Sequence, residues 1–530
     1  MGSIPLSSDG LTMVCAPIMG ESVDQAIDQM HKAKTQGADV VEVRLDCIKH
    51  FQAHQDLEII LKNKPLPVII VYRPKCEGGL YEGDEMARLE ALRSALKLGA
   101  DYVDFELKVA SDVISKQNRL QCGGTKVIVS CFLDGATPSE EELSNLAARM
   151  QATGADIVKV VTSASNITEL ARLFHLLSYS QMPVVAYSVG ERGLISQLLS
   201  PKFGGTLVYG SIEGKAIPGL PTLESLRKAY KVEYIDSGTK IFGLISKPVG
   251  HSKGPILHNP TFRHMNFNGL YVPMFVDDLK EFFQVYSTSD FAGFRHEFLL
   301  VLNCSVGFPY KEAVVQFCDE VHPLAQSIGA VNTIVRRPSD GKLIGYNTDC
   351  EASVTAIEDA LQECRCINGK QSLVSPLAGR EFVLVGAGGA GRALAFGAKI
   401  RGARIIIFDI DFERAKILAN AVSGEARPLG DLPYFQPEKG SVLANATPIG
   451  MHPNKDRVPV SEASLGVFQL VFDAVYTPRK TTLLKGAEAA GAIIVSGVEM
   501  FLRQAIGQFN LFTGGEAPKE FMREIVLAKF

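Results

Sequence analysis

Between Leu11 and about Lys231, short apolar runs alternate with longer segments in which apolar residues recur every three or four positions. The runs are TMVCAPIM, DVVEVRLD, PVIIVYR, DYVDFEL, KVIVSCF, DIVKVVT, PVVAYSV and TLVYGSI, and they are rich in β-branched residues. Intervening stretches such as SVDQAIDQMHKAK carry the helical period. Eight such units predict an α/β chain that begins with a (β/α)8 barrel, an open doubly wound sheet being the structural alternative. Around Val232 to Lys240 the pattern gives way to polar VEYIDSGTK, and a new strand, IFGLIS, follows. Further on, EFVLVGAGGAGRALAFGAKIRGARIIIFDID reads as strand, glycine turn, helix and strand, the signature of a Rossmann dinucleotide fold.

The same alternation puts charge inside the barrel strands. Glu42 and Arg44 fall on one face, Arg73 ends its strand, and Lys159 lies within the sixth. An interior tolerates such groups at a site or as a buried ion-pair network, and for any single residue the two readings stand level.

At 530 residues the chain exceeds what one core fills, so two or three domains are expected. A net charge of −4 gives no electrostatic case for nucleic acid or an anionic membrane as partner, which leaves small-molecule chemistry. The most apolar stretch, Phe298 to Leu302, is far short of a bilayer span, and MGSIPLSSDG lacks the marks of a signal or transit segment, so a cytosolic protein is expected, with a plastid as the alternative if the N-terminus is incomplete. The ten cysteines form no CxxC pair, and Cys364 and Cys366 are too close for the usual zinc spacings, so no metal site is expected.

VEVRLD, YRPKCEGG, GADIVKV and GERGLIS resemble the type I dehydratase domain of the plant bifunctional 3-dehydroquinate dehydratase/shikimate dehydrogenase family, and the resemblance continues through the rest of the chain. It implies that Lys159 is the Schiff-base lysine, with Glu42, Arg44 and Arg73 lining its site. Burial is expected to lower the lysine pKa and leave a nucleophilic amine. Phe132 stands where the family has its catalytic histidine, Gln197 where it has a substrate-binding arginine, and Ala216 and Leu220 where it has a serine and a glutamine. A phenyl ring moves no proton, so the barrel is expected to dehydrate poorly and to persist as a structural domain.

Gly386, Gly388 and Gly391 form GxGxxG directly after FVLV, with Ala387, Gly389 and Ala390 completing the turn. Such glycines let a pyrophosphate approach a helix N-terminus. Shikimate dehydrogenases that use NADP resemble ANRT at the next strand end, whereas this chain reads FDID, with Asp409 and Asp411 flanking Ile410. A carboxylate accepts from a ribose hydroxyl and repels a phosphate, by about 4 kcal/mol at ~4 Å and an effective dielectric of ~20. NAD is therefore the expected cofactor.

SKPVGHSKGPILHN, SVGFPYKEA, GAVNT and GYNTDC resemble the dehydrogenase half of the same family. The resemblance makes Lys311 and Asp349 the catalytic pair. It places Ser252, Asn332, Asn347, Tyr476 and Gln504 at the substrate cleft; Asn347 could instead support the Asp349 loop, and Tyr476 and Gln504 could be packing residues. Gly254 and Gly307 stand where the family has serine and threonine, which removes hydroxyls and volume at the carboxylate end and favours quinate over shikimate, unless they are only turn glycines. Ten residues, Arg295 to Cys304, interrupt the family pattern a few positions before Lys311 and are expected to bulge from a strand end or disturb the lysine.

The reading is a dehydratase-like barrel over 1–232, a substrate domain over 238–349 completed by 500–530, and a Rossmann domain over 350–499. The expected activity is NAD-dependent oxidation of quinate to 3-dehydroquinate. A shikimate dehydrogenase, still bifunctional or forming gallate, is the enzyme rival, and a silent paralogue with a binding or scaffold role is the rival of another class. Oligomeric state is not legible in the sequence.

Overall fold

The computed structural model describes residues 12–114, 124–214, 217, 219–250, 252–286, 301–366 and 374–529. The chain divides into two compact units, Met1–Ile241 with Asn268–Val301, and Phe242–Phe267 with Leu302–Phe530.

The first unit holds eight parallel strands: β1 Met13–Ile18, β2 Val40–Arg44, β3 Val68–Val71, β4 Tyr102–Glu106, β5 Lys126–Leu133, β6 Ile157–Thr162, β7 Val184–Ser188 and β8 Leu207–Tyr209. They follow one another from β7 through β1 to β8, a nearly closed barrel, and each coincides with one of the eight apolar runs. Helices between them begin where the sequence supplies caps: Ser22 accepts from the Gln25 N–H to start Val23–Thr35, and Ser139 with Glu142 forms a capping box before Glu140–Ala152. Cys15, Val40, Ile69, Tyr102, Ile128, Ile157, Val185 and Leu207 pack together as one apolar cluster. Two residues further along their strands, on the same face, come Glu42, Asp104, Ser130, Lys159, Tyr187 and Tyr209, so the interior turns polar toward the strand C-termini.

Strand β9, Lys240–Ser246, precedes β10, Gly269–Phe275, β11, Val301–Val306, β12, Glu320–Val321, β13, Thr333–Arg336, and β14, Leu343–Tyr346. In the second unit β9, β11, β13, β14 and β12 lie side by side in that order. Of the inserted segment, Arg295–Leu300 lies outside the described residues. Its last four residues form the start of β11, with Asn303 opposite Val335 and Cys304 opposite Ile334 in an antiparallel pair with β13.

The remaining strands are β15 Glu381–Val385, β16 Arg404–Asp409, β17 Glu425–Pro428, β18 Ser441–Asn445, β19 Phe468–Asp473 and β20 Ile493–Ser496. All are parallel in the order β17-β16-β15-β18-β19-β20. The order reverses between β15 and β18, the crevice in which open α/β sheets bind ligands. Alternate residues of β15 serve the two faces: Phe382 and Leu384 join one apolar cluster, Val383 and Val385 the other.

Candidate functional site

The glycine turn follows β15. Gly386 has φ +104°, a left-handed value that suits glycine, and its N–H donates to Phe408 O at 2.8 Å. A Cβ on Gly391 would stand 1.9 Å from Gly386 O, so the turn closes on its own helix only with glycine there. Gly388 caps helix Gly389–Ile400, whose free N–H groups face the crevice beyond β15.

Lys311 lies against this turn: a Cβ on Gly389 would be 2.9 Å from the lysine Cβ. Its Nζ reaches Asp349 Oδ2 at 2.5 Å. The aspartate is buried and the lysine about one-fifth exposed, so the pair is dry on one side and open on the other. Despite the ten-residue insertion, Lys311 keeps this partner.

Both asparagines near the pair are committed to the protein. Asn347 donates to Ala330 O at 2.9 Å and accepts from Cys350 N, holding the turn into the Asp349 helix. Asn332 donates to Thr348 Oγ1 and accepts from Thr348 N and Thr333 Oγ1. Tyr476 packs its ring on Phe501 at 5.2 Å, and Gln504 Nε2 donates to Phe501 O at 3.0 Å, so the two share a helix, Gly497–Thr513, as their support. Ser252 Oγ accepts from Gly254 N at 3.1 Å at the start of helix Gly254–His264.

In the barrel, Lys159 Nζ lies 2.6 Å from Glu42 Oε2 and 3.3 Å from Asp104 Oδ2. Arg73 Nη2 meets Asp104 Oδ2 at 3.3 Å. Arg44 turns to Asp46 with two bonds of 2.9 and 2.6 Å. Tyr209 donates its hydroxyl to Glu42 Oε2 at 2.7 Å, and its ring lies 4.9 Å below the Lys159 ammonium. Phe132 presents its ring toward Gly78, and its N–H donates to Glu77 Oε2. Gln197 is fully buried, with its Oε1 accepting from Tyr209 N. Leu220 packs on the interior apolar cluster, and Ala216 lies outside the described residues.

Comparison with known proteins decides the family. The type I 3-dehydroquinase model matches residues 14–237, the shikimate dehydrogenase substrate binding domain 244–334, and the shikimate 5'-dehydrogenase C-terminal domain 497–527. A bifunctional 3-dehydroquinate dehydratase/shikimate dehydrogenase of Arabidopsis thaliana, named as chloroplastic, is 51% identical over 97% of this chain and 84% of its own. The chain belongs to that bifunctional family. The dehydrogenase half is also 37% identical to a shikimate dehydrogenase (NADP(+)) of Methanopyrus kandleri, over 55% of this chain and 97% of that one. A crystal structure of a shikimate dehydrogenase in complex with NADP+ shares 32% identity, with TM-score 0.47, over 55% of this chain and 96% of that one.

Three expectations need correction against this family frame. The first is NAD. Relatives from Methanopyrus kandleri, Pyrococcus furiosus and Bacillus cereus are all named as NADP(+) enzymes. Both carboxylates are engaged within the protein: Asp409 accepts from Ala387 N at 2.5 Å and Asp411 N at 2.8 Å, and Asp411 caps helix Phe412–Val422. Arg414, in the first turn of that helix, has its guanidinium 3.8 Å from a Cβ position on Gly388 and pairs with Glu312. The turn therefore carries a cation beside its acids, and the residues present fit a dinucleotide with an extra phosphate.

The second is the lysine. Burial does act to lower the Lys159 pKa, but Glu42 and Asp104 outweigh it and hold the group well above its ordinary value. Burial likewise acts to raise Glu42, which Lys159 and Arg73 bring down to about 2. The resting barrel contains an ammonium, not a free amine. The third is the room at Gly307: a Cβ there would stand 2.7 Å from Ser246 Oγ, so a neighbouring side chain fills that space.

Sequence reasoning also passed over Asp104, Tyr209, Glu77, Arg414 and Gln508. Asp104 and Tyr209 share the inward parity of Tyr102 and Leu207, which alternation alone reveals. Gln508 donates to Asn332 O and Thr333 Oγ1 and accepts from Ser305 Oγ, a role with no signature outside the fold.

Proposed function

We propose that the second unit is an NADP-linked dehydrogenase that interconverts a ring hydroxyl and a ring ketone on a small cyclic hydroxy-acid, with shikimate and 3-dehydroshikimate as the preferred pair. The observation that carries this is the Lys311–Asp349 contact of 2.5 Å on a lysine whose stem rests against the glycine turn. NADP bound there supplies the hydride acceptor. The Lys311–Asp349 pair carries the hydroxyl proton along one path in both directions, taking it up as the hydroxyl is oxidised and returning it as the ketone is reduced. The Gly386–Gly391 turn and helix Gly389–Ile400 hold the pyrophosphate, and Arg414 pairs the additional phosphate. The domain division of the second unit into substrate and Rossmann parts at about residues 349/350 and 499/500 goes with this reading.

Quinate is the second reading, favoured by Gly254, buried at the start of its helix, where the family resemblance places a serine hydroxyl. For the barrel, we infer impaired dehydration: an ammonium locked between two carboxylates, a phenyl ring at position 132 and an amide at 197 replace the amine, imidazole and guanidinium the reaction needs. The plastid location named for the Arabidopsis relative supports the same location here.

A matrix of shikimate and quinate against NADP and NAD, with 3-dehydroquinate dehydration measured in parallel, tests all three statements. NADP with shikimate is expected to give the highest kcat/KM. Higher turnover of quinate promotes the second reading, Gly254→Ser then being expected to shift preference back to shikimate. No turnover of either acid by full-length protein that binds NADPH overturns the dehydrogenase reading in favour of a binding role.

A further inference from the structure

Asp473, the last residue of β19, is fully buried and belongs to none of the pairs described above. Its strand partner is Asn445, the last residue of β18, also fully buried. One carboxylate collects three donors from three directions. Oδ1 accepts from Asn445 Nδ2 and from Val475 N, both at 3.0 Å, and Oδ2 accepts from Thr481 Oγ1 at 2.6 Å.

Two of these donors belong to segments that lead to the dehydrogenase site. Asn445 continues the network outward: its Oδ1 accepts from Thr447 N at 3.0 Å and Thr447 Oγ1 at 2.7 Å, and its Nδ2 also donates to Ile449 O at 3.2 Å. Thr447 in turn lies over the glycine turn, its Cγ2 being 2.9 Å from a Cβ position on Gly386. Val475 immediately precedes Tyr476, and a Cβ on Gly497 would be 2.5 Å from Ala474 O, so the same bond fixes that loop against the helix carrying Gln504. Thr481 caps helix Thr482–Ala489.

We propose that Asp473 is a positioning residue for the dehydrogenase: by holding Asn445 and Val475 on one oxygen it sets the spacing between the loop over the dinucleotide glycines and the loop that carries Tyr476. The inference rests on the dehydrogenase reading and adds a residue that touches neither substrate nor cofactor. A charged acceptor suits the site because the amide and the backbone N–H can only donate to it.

Burial raises the Asp473 carboxyl to about 6, and its partners, the Asn445 amide, the Val475 N–H and the Thr481 hydroxyl, are all neutral. On protonation the carboxyl must itself donate. Only the Thr481 hydroxyl can reverse its role, so the two strand-end bonds weaken together.

The test uses full-length protein, parent, Asp473→Asn and Thr481→Val, with NADPH binding followed by its own fluorescence and kinetics followed from pH 5 to 8. For the parent, NADPH affinity is expected to fall as pH drops through about 6. Asp473→Asn is expected to weaken NADPH binding and raise the hydroxy-acid KM by roughly five- to tenfold at pH 7.5, with kcat at saturation changed by less than about threefold, and to remove the acid limb. Thr481→Val keeps the carboxylate and removes one bond to its charged form, so the limb is expected to move to higher pH. If Asp473→Asn fails to fold, the displaced limb in Thr481→Val carries the test alone.

Unchanged NADPH affinity and an unmoved limb in the variants overturn the inference. So does a loss confined to kcat. A parent that binds NADPH and oxidises no hydroxy-acid fails the dehydrogenase reading instead, a different result from the same experiment.

Discussion

Gly389 leaves the space that the Lys311 stem occupies: a Cβ on the glycine would stand 2.9 Å from the lysine Cβ, so none fits without moving that stem. The contact joins the dinucleotide turn to the proton-transfer pair without an intervening residue. Gly389→Ala is therefore expected to push Lys311 off Asp349. Loss of kcat/KM between roughly tenfold and a hundredfold is the expected outcome, with thermal stability little changed. Steady-state kinetics beside a melting curve checks it, and a fully active alanine variant would show that the lysine can be held elsewhere.

Arg414 gives the cofactor prediction. Arg414→Ala removes a charged donor beside the glycine turn, so the KM for NADP should rise roughly tenfold to a hundredfold while that for NAD barely moves. Equal effects on the two cofactors would remove the guanidinium from the phosphate site.

The barrel ion cluster makes a stability prediction with a definite sign. Glu42 has its folded pKa lowered from 4.5 to about 2, so its contribution is complete above the ordinary value and is lost as pH falls through about 2. That difference corresponds to about 3 kcal/mol. Urea denaturation of the parent and Glu42→Gln is expected to differ most above pH ~5 and to converge near pH ~2. Lys159→Met leaves two carboxylates without their ammonium and is expected to cost roughly 3 to 5 kcal/mol.

Chemistry in the barrel should not return with one substitution. Phe132→His restores an imidazole, yet Lys159 remains clamped by Glu42 and Asp104, and Gln197 remains tied to Tyr209 N. Dehydration of 3-dehydroquinate by Phe132→His is expected within about tenfold of the parent, whereas a restored general acid–base alone contributes about a hundredfold or more. A gain of that larger size would place the defect in position 132 by itself.

Alternation and glycine spacing made the architecture legible: all eight barrel runs became strands, because a strand buried on both faces must be apolar almost throughout. Pairing across long sequence separations was not legible. Lys159 and Glu42 are 117 positions apart, and a single-strand view of a buried lysine predicts a lowered pKa when its partners on other strands are left out. The same blindness produced NAD from Asp409 and Asp411, whose oxygens look free in sequence and are spoken for by backbone N–H groups in the fold. Gly307 looked like an opening because the residue that fills it, Ser246, lies on a different strand.

The interleaving of the two units has a consequence for how the protein is made. The chain passes from one to the other at 241/242, 267/268 and 301/302, so neither unit is a continuous stretch. Ile167 O in the barrel accepts from the buried Tyr286 hydroxyl, and Arg192 donates to Asp277, both partners coming from the part of the first unit synthesised last. During synthesis the eight barrel strands emerge before those partners, and residues 242–267 of the second unit are made between them. Of the three crossings only cleavage at 267/268 would divide both units, and a gene fragment ending at Ile241 would hold all eight barrel strands without the partners of Ile167 and Arg192.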